Sequence, residues 1–65
     1  MENNNVIKLM QKLEREFISA AQDTEKFVEG NNSAGASVRK YMQSIKGLAQ
    51  RVRIEVQEQK HAVAA

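Results

Sequence analysis

Apolar side chains recur along this chain at alternating steps of four and three residues, in two stretches separated by a polar break. The repeating positions of the first stretch are Val6, Met10, Leu13, Phe17, Ala20, Thr24 and Phe27. Those of the second stretch are Ala34, Val38, Tyr41, Ile45, Leu48 and Val52. This heptad spacing is typical of α-helices that pack lengthwise, so it predicts two long helices with one apolar face each.

The break between the stretches is the polar segment Gly30-Asn31-Asn32-Ser33. Glycine and asparagine tolerate the left-handed conformation that ends a helix. The side chain of Asn32 or Ser33 can accept hydrogen bonds from the free amides that begin the second helix, and Asn4 or Asn5 can cap the first. We therefore expect the chain to fold back on itself at this segment.

These signals predict an all-α fold, an antiparallel two-helix hairpin similar to a coiled coil. The predicted elements are a helix over residues 5–29, a loop over 30–32, a helix over 33–60 and a frayed tail over 61–65. A connection of this length is usual between antiparallel helices that are neighbours in the fold. The whole chain of 65 residues is expected to form a single domain.

A second apolar stripe runs beside the predicted seam on each helix. Its members are Ile7, Ala21 and Val28 on the first helix, and Met42, Ala49 and Val56 on the second. Two helices alone bury too little apolar surface for a stable domain, and the chain has no cysteine with which to form disulfides. We therefore expect these six residues to form an assembly interface, either with another hairpin in a helical bundle or with a larger protein.

Charge is unevenly distributed between the two halves. Residues 1–30 hold four basic and six acidic side chains, whereas residues 31–65 hold six basic and two acidic ones, for a net charge of +2 overall. Arg39, Lys46, Arg53 and Lys60 recur every seven residues on the second predicted helix, outside its seam, with Lys40 near the same face. Such a row is either a solvated surface or a phosphate-binding surface for duplex DNA, because lysine and arginine neutralise phosphates regardless of base sequence.

The residues around the turn resemble a known family. Gly30-Asn31-Asn32-Ser33-Ala34-Gly35, followed by Arg39-Lys40, Leu48 and Arg53, is similar to the loop and arginine-bearing helix of bacterial histone-like proteins of the chlamydial linker-histone type. The resemblance implies sequence-independent DNA binding and compaction, with Arg39, Lys40 and Arg53 facing the phosphates. Chlamydial members carry a long lysine- and alanine-rich tail, which residues 1–65 lack. A tail-less member of this kind would depend on oligomerisation to concentrate its charge.

Other classes of function find little support. The chain has no cysteine and a single histidine, His61, so we expect no metal site and no cofactor. No serine has a predictable general base beside it, and a helical hairpin offers hardly any pocket, so we expect neither an enzyme nor a binder of small molecules. No apolar run reaches the length of a membrane span.

Two functions remain open after these exclusions. The first is a histone-like protein of the cytoplasm or nucleoid that binds and condenses duplex DNA without sequence preference, acting as a homo-oligomer. The second is a structural protein, such as a minor virion component, that cements a large protein assembly through its hairpin. Both use the same fold and differ in what the outward face contacts.

Overall fold

The computed structural model of this protein describes residues 4–64, with side chains described through residue 62. It contains two helices, α1 over Asn5–Val28 and α2 over Asn32–Ala64, which pack against each other along their length. No strand occurs within the described residues. The predicted all-α two-helix hairpin is therefore confirmed.

The second helix is longer than predicted, because residues 61–64 continue it instead of fraying. Neither proline nor glycine follows Gly47 in the sequence. Residues 55–64 consist mainly of glutamine, glutamate, lysine and alanine, which are good helix formers. His61 also pairs with Gln57, one turn earlier, at 3.0 Å. Residue 65, the last of the predicted tail, lies outside the described residues.

The turn between the helices is held by backbone hydrogen bonds. The amide of Gly30 donates to the carbonyl of Phe27, and the amide of Asn31 donates to that of Lys26, both at 3.0 Å. This pair of bonds is a Schellman motif, which requires a residue with positive φ at the position that Gly30 occupies with φ 113°. Glycine is the residue that adopts this conformation without a Cβ penalty.

Asparagine side chains cap the start of both helices. Asn4 Oδ1 accepts from the amide of Val6 at 2.8 Å, in agreement with one of the two predicted caps. For α2 the cap is Asn31, whose Oδ1 accepts from the amide of Ala34 at 3.2 Å and from Ser33 Oγ at 2.7 Å. The prediction that Asn32 or Ser33 caps α2 was wrong, because the helix begins at Asn32, one residue earlier than expected.

The seam of α2 lies where its heptad pattern places it. All six predicted positions are buried or half-buried against α1, and Ala34 and Leu48 are the most enclosed of them. The seam of α1 is rotated by about one residue from the prediction. Met10 and Phe17 are 51% and 58% exposed, whereas Leu9 is 8% exposed and Glu16 is half-buried.

The rotation of α1 has a physical cause in the width of its apolar arc. Val6, Leu9, Leu13 and Ala20 can face α2 only if Met10 and Phe17, about 100° further round, face outward. A hydrogen bond of 2.6 Å from Ser44 Oγ to Glu16 Oε1 compensates for bringing a carboxylate to the interface. The predicted seam positions Met10, Phe17 and Thr24 are therefore wrong, since these three residues are exposed. Phe27 is also exposed, at 49%, but its ring still contacts α2.

The first turn of α2 is shaped by a close contact with the end of α1. A Cβ added at Gly35 would lie 2.7 Å from Cδ1 of Phe27, which is closer than such atoms approach in proteins. The ring of Phe27 therefore lies over the bare backbone of Gly35. This contact gives Gly35 a packing role, which is distinct from the role of Gly30 in the turn.

At the opposite end of the hairpin, two side-chain amides exchange hydrogen bonds. Asn4 Nδ2 donates to Gln59 Oε1 at 3.1 Å, and Gln59 Nε2 donates to Asn4 Oδ1 at 3.2 Å. The oxygen that caps α1 is therefore also an acceptor from α2. This amide pair fixes the register of the helices at the end that lacks a connecting loop.

The molecule is an elongated slab with a small core. Its radius of gyration is 15.3 Å, compared with about 11 Å for a compact chain of this length. The principal extents are 53 × 19 × 11 Å. Four buried residues, Leu9, Ala20, Ala34 and Leu48, form the core of the described chain.

Candidate nucleic-acid interface

The hairpin has two broad faces with different chemistry. We call the first face the polar side, and contacts between the helices identify it. On this side Ser44 donates a hydrogen bond to Glu16, and Arg51 lines a hollow together with Lys8 and Lys12. Residues two positions away along either helix point about 200° from these. The opposite face is the apolar side, and its members are Ile7, Met10, Phe17, Ala21, Val28, Met42, Ala49 and Val56, all of them exposed.

The six residues predicted to form an assembly interface all belong to the apolar side. Of the four larger side chains, Val28 is 77% exposed, and Ile7, Met42 and Val56 are between 37% and 43% exposed. The rotation of α1 adds Met10 and Phe17 to this face. The exposed apolar surface is therefore wider than the sequence pattern indicated.

The basic row follows the outer margin of the apolar side. Arg39, Lys46, Arg53 and Lys60 are all exposed, and α2 is continuous through the whole row. Steps of seven residues correspond to about 10.5 Å each and about 31 Å in total. An α-helix drifts by about 20° per heptad, so the four cations form a gently curved line. Arg53 has one hydrogen bond, of 3.5 Å, to Gln50 of its own helix.

Lys40 lies apart from this row. It lines a hollow with Glu16, Ser37 and Tyr41, and that hollow belongs to the polar side. One residue corresponds to about 100° of rotation, so Lys40 points away from the direction of Arg39. The expectation that it shares a face with the row does not agree with this placement.

The polar side carries a second group of cations, which the sequence pattern did not predict. Lys8 and Lys12 of α1 and Arg51 of α2 line one hollow, together with Asn5, Leu9, Ile54 and Glu55. The signal available in the sequence was Arg51, which lies two positions before Arg53 and therefore on the other side of α2 from the row. Lys8 and Lys12, which face Arg51, become recognisable only once the rotation of α1 is known.

No other type of site is found in the described residues. Among them, no three histidine, cysteine, aspartate or glutamate side chains come together as metal ligands. Neither helix of residues 4–64 is long and apolar enough to cross a lipid bilayer. His61 is exposed and pairs with Gln57.

A comparison with family models places this hairpin among chromatin proteins. The model of the family described as Histone H1-like protein Hc1 matches residues 7–62, which include the turn and most of both helices. The chain belongs to this histone H1-like family, which is one of DNA-binding structural proteins and is not a known enzyme family. No curated protein and no solved structure matches the chain significantly.

Proposed function

We propose that this protein binds and compacts duplex DNA without sequence preference, through the row formed by Arg39, Lys46, Arg53 and Lys60. The observation that carries the proposal is the exposure of four cations in one row along α2 of a member of a histone H1-like family. The place of action would be the nucleoid. Lys40 would contribute less than the four row residues, because it points towards Glu16 on the polar side.

The dimensions of the row support contact with the DNA backbone. Its length of about 31 Å is close to one turn of duplex, which is about 34 Å. Duplex DNA carries one negative charge per about 1.7 Å of its axis, so a row of this length lies beside a dense array of phosphates. Phosphate contacts position a protein without reading bases, which fits a helix that carries no base-reading motif.

A single hairpin has a net charge of only +2, so we further propose that two copies associate. The surface area supports this step. The chain exposes 5323 Å² to solvent, whereas a compact monomer of 7.3 kDa exposes about 4,200 Å². The excess exceeds the area of about 800 Å² that each partner buries in a standard protein interface.

The occupant proposed for the apolar side is a second copy of the same face. Two such faces would complete a four-helix bundle, in which the exposed rings and methionines replace the core that one hairpin lacks. The rows lie beside the apolar side, so pairing would leave one row along each margin of the dimer. The dimer would then present eight row cations instead of four, which raises the positive charge available to DNA.

The test is a fluorescence anisotropy titration against unrelated duplexes longer than one helical turn, from about 50 to about 200 mM salt. We expect equal affinities for the different sequences and a steep, linear fall of log K with log salt. In the variant Lys46→Gln/Arg53→Gln the slope should become shallower by about 1.8 for each protomer engaged. Circular dichroism should show the helix content of both proteins to be the same.

A matched control changes charge elsewhere. Gln22→Glu/Lys26→Gln lowers the net charge by the same two units, at exposed positions on α1. This control variant should retain most of the affinity for DNA if the row binds DNA. If only the total charge matters, its affinity should fall as far as that of Lys46→Gln/Arg53→Gln. Absence of binding by the unmodified protein at about 50 mM salt would reject DNA binding. Co-purification with a large protein shell would then favour the structural role, which the wide apolar side also suits.

A further inference from the structure

The cation group on the polar side is a compact surface built from both helices. Lys8 and Lys12 are one turn apart on α1, about 6 Å along its axis, and Arg51 reaches the same hollow from α2. The floor includes Leu9, which is buried, and Ile54, which is 48% exposed. We call Lys8, Lys12 and Arg51 the cation cluster.

The one acid in this hollow is already engaged. Glu55 is half-buried, and its Oε1 accepts a hydrogen bond of 3.2 Å from Asn5 Nδ2. Three cations against one carboxylate leave the hollow with a net positive charge. The three basic side chains are exposed to solvent, so an external anion can reach them.

The cluster and the row lie on opposite sides of the slab. Arg51 belongs to the cluster and Arg53 to the row, and a separation of two residues along α2 turns their side chains about 200° apart. The slab is 11 Å in its thinnest dimension and 19 Å in the next. Duplex DNA has a persistence length of about 150 bp, so one short segment cannot bend around such an object to touch both sides.

We propose that the hairpin holds two duplex segments at once, one along the row and another at the cation cluster, and so bridges DNA. This inference rests on the proposed function, because it takes the row as one of its two DNA contacts. The chemical class of the ligand is the same on both sides, the phosphodiester backbone. The two contacts differ in shape, since the row is extended and the cluster is compact.

The experiment separates bridging from binding. One duplex is immobilised on beads, a second, labelled duplex is free in solution, and the labelled DNA retained by the protein is measured. Anisotropy with a single duplex runs in parallel. The unmodified protein should retain the labelled duplex, and Lys8→Gln/Lys12→Gln/Arg51→Gln should reduce retention at least tenfold while single-duplex affinity falls only a few-fold.

Two controls test whether a loss of retention comes from the cation cluster itself. Gln22→Glu/Lys26→Gln, which changes exposed positions outside the cluster and the row, should leave retention intact. Sedimentation should show the same association state for the cluster variant and the unmodified protein. Retention that survives loss of the cluster would show that the rows of two associated copies do the bridging, and would overturn the inference.

The remaining outcomes distinguish the inference from the proposed function. Single-duplex binding without retention by the unmodified protein would overturn bridging and leave DNA binding intact. An equal loss of anisotropy and retention in the cluster variant would make the cluster part of the same binding surface, which also overturns the inference. Absence of binding in both assays would reject the proposed function together with it.

Discussion

The two broad sides of this hairpin show how one pair of helices satisfies opposite requirements. On the polar side, side chains from the two helices meet and bond, as Ser44 does with Glu16. On the apolar side, large residues such as Phe17 and Met42 remain exposed beside a row of cations. The polar side therefore closes the monomer, whereas the apolar side is left uncovered in a single hairpin and is the face on which the proposed second copy would bind.

The strongest test of this contrast is to replace one apolar residue on each side. Phe17→Gln should weaken self-association about 100-fold, since each copy loses about 1.5 kcal/mol of apolar burial and the dimer contains two copies. Ile54→Gln removes an apolar side chain of similar exposure, 48% against 58%, from the polar side. It should leave association unchanged. Sedimentation equilibrium over a range of protein concentrations measures both constants.

Equal effects of Phe17→Gln and Ile54→Gln would mean that association is not confined to the apolar side. A stable folded monomer at every concentration would contradict the proposed dimer altogether. Both variants preserve net charge, so electrostatic changes do not enter the comparison.

A smaller effect is expected at the acid that closes the polar side. Glu16 Oε2 is buried without a hydrogen-bond partner, although Oε1 is bonded to Ser44. Glu16→Leu should therefore stabilise the fold by about 1–2 kcal/mol, because a buried polar atom without a partner is costly and Ser44, being exposed, can bond water. Urea denaturation at fixed protein concentration measures the change.

The companion variant Ser44→Ala should act in the opposite direction. It removes the one bond that the carboxylate makes to α2 and leaves the acid at the interface, so stability should fall by about 1 kcal/mol. A decrease in stability on Glu16→Leu as well would show that the hydrogen bond outweighs the cost of burial.

The smallest effects are expected at two glycines of α2. Gly47 has no atom within 4 Å of an added Cβ, so Gly47→Ala should stabilise the protein by about 0.5–1 kcal/mol through helix propensity alone. Gly35→Ala has the same propensity gain but places its Cβ against the ring of Phe27, so its net effect should be lower. Thermal unfolding of the two variants gives the difference, and equal gains would show that the ring moves aside freely.

The apolar pattern predicted the hairpin and the whole seam of α2, but not the orientation of α1. On α2, Ser37 and Ser44 border the seam and leave one possible orientation. On α1, apolar residues occupy an arc wider than the seam, so periodicity alone cannot determine which part faces the partner. The hydrogen bond from Ser44 to Glu16, which brings Glu16 to the interface, joins polar side chains of different helices. The spacing of apolar residues therefore cannot predict it.

The candidate site was predicted in part for a similar reason. The row lies on one helix and is visible as a seven-residue repeat, so its four members could be named from the sequence. The cation cluster combines Lys8 and Lys12 with Arg51 of the other helix, and therefore depends on the same rotation that the pattern left undetermined. The cap of α2 shows a local version of this limit, since any of three neighbouring polar residues could have served and Asn31 does.

The amide pair of Asn4 and Gln59 joins the start of α1 to the last turns of α2, which would otherwise loosen separately. Asn4 Oδ1 accepts from the backbone amide of Val6 and from the side-chain amide of Gln59 at once, so unwinding of either helix at this end breaks a bond to the other. The first turn of α1 and the turn of α2 around Gln59 should therefore open as one cooperative unit, with their backbone amides exchanging with solvent at a common rate.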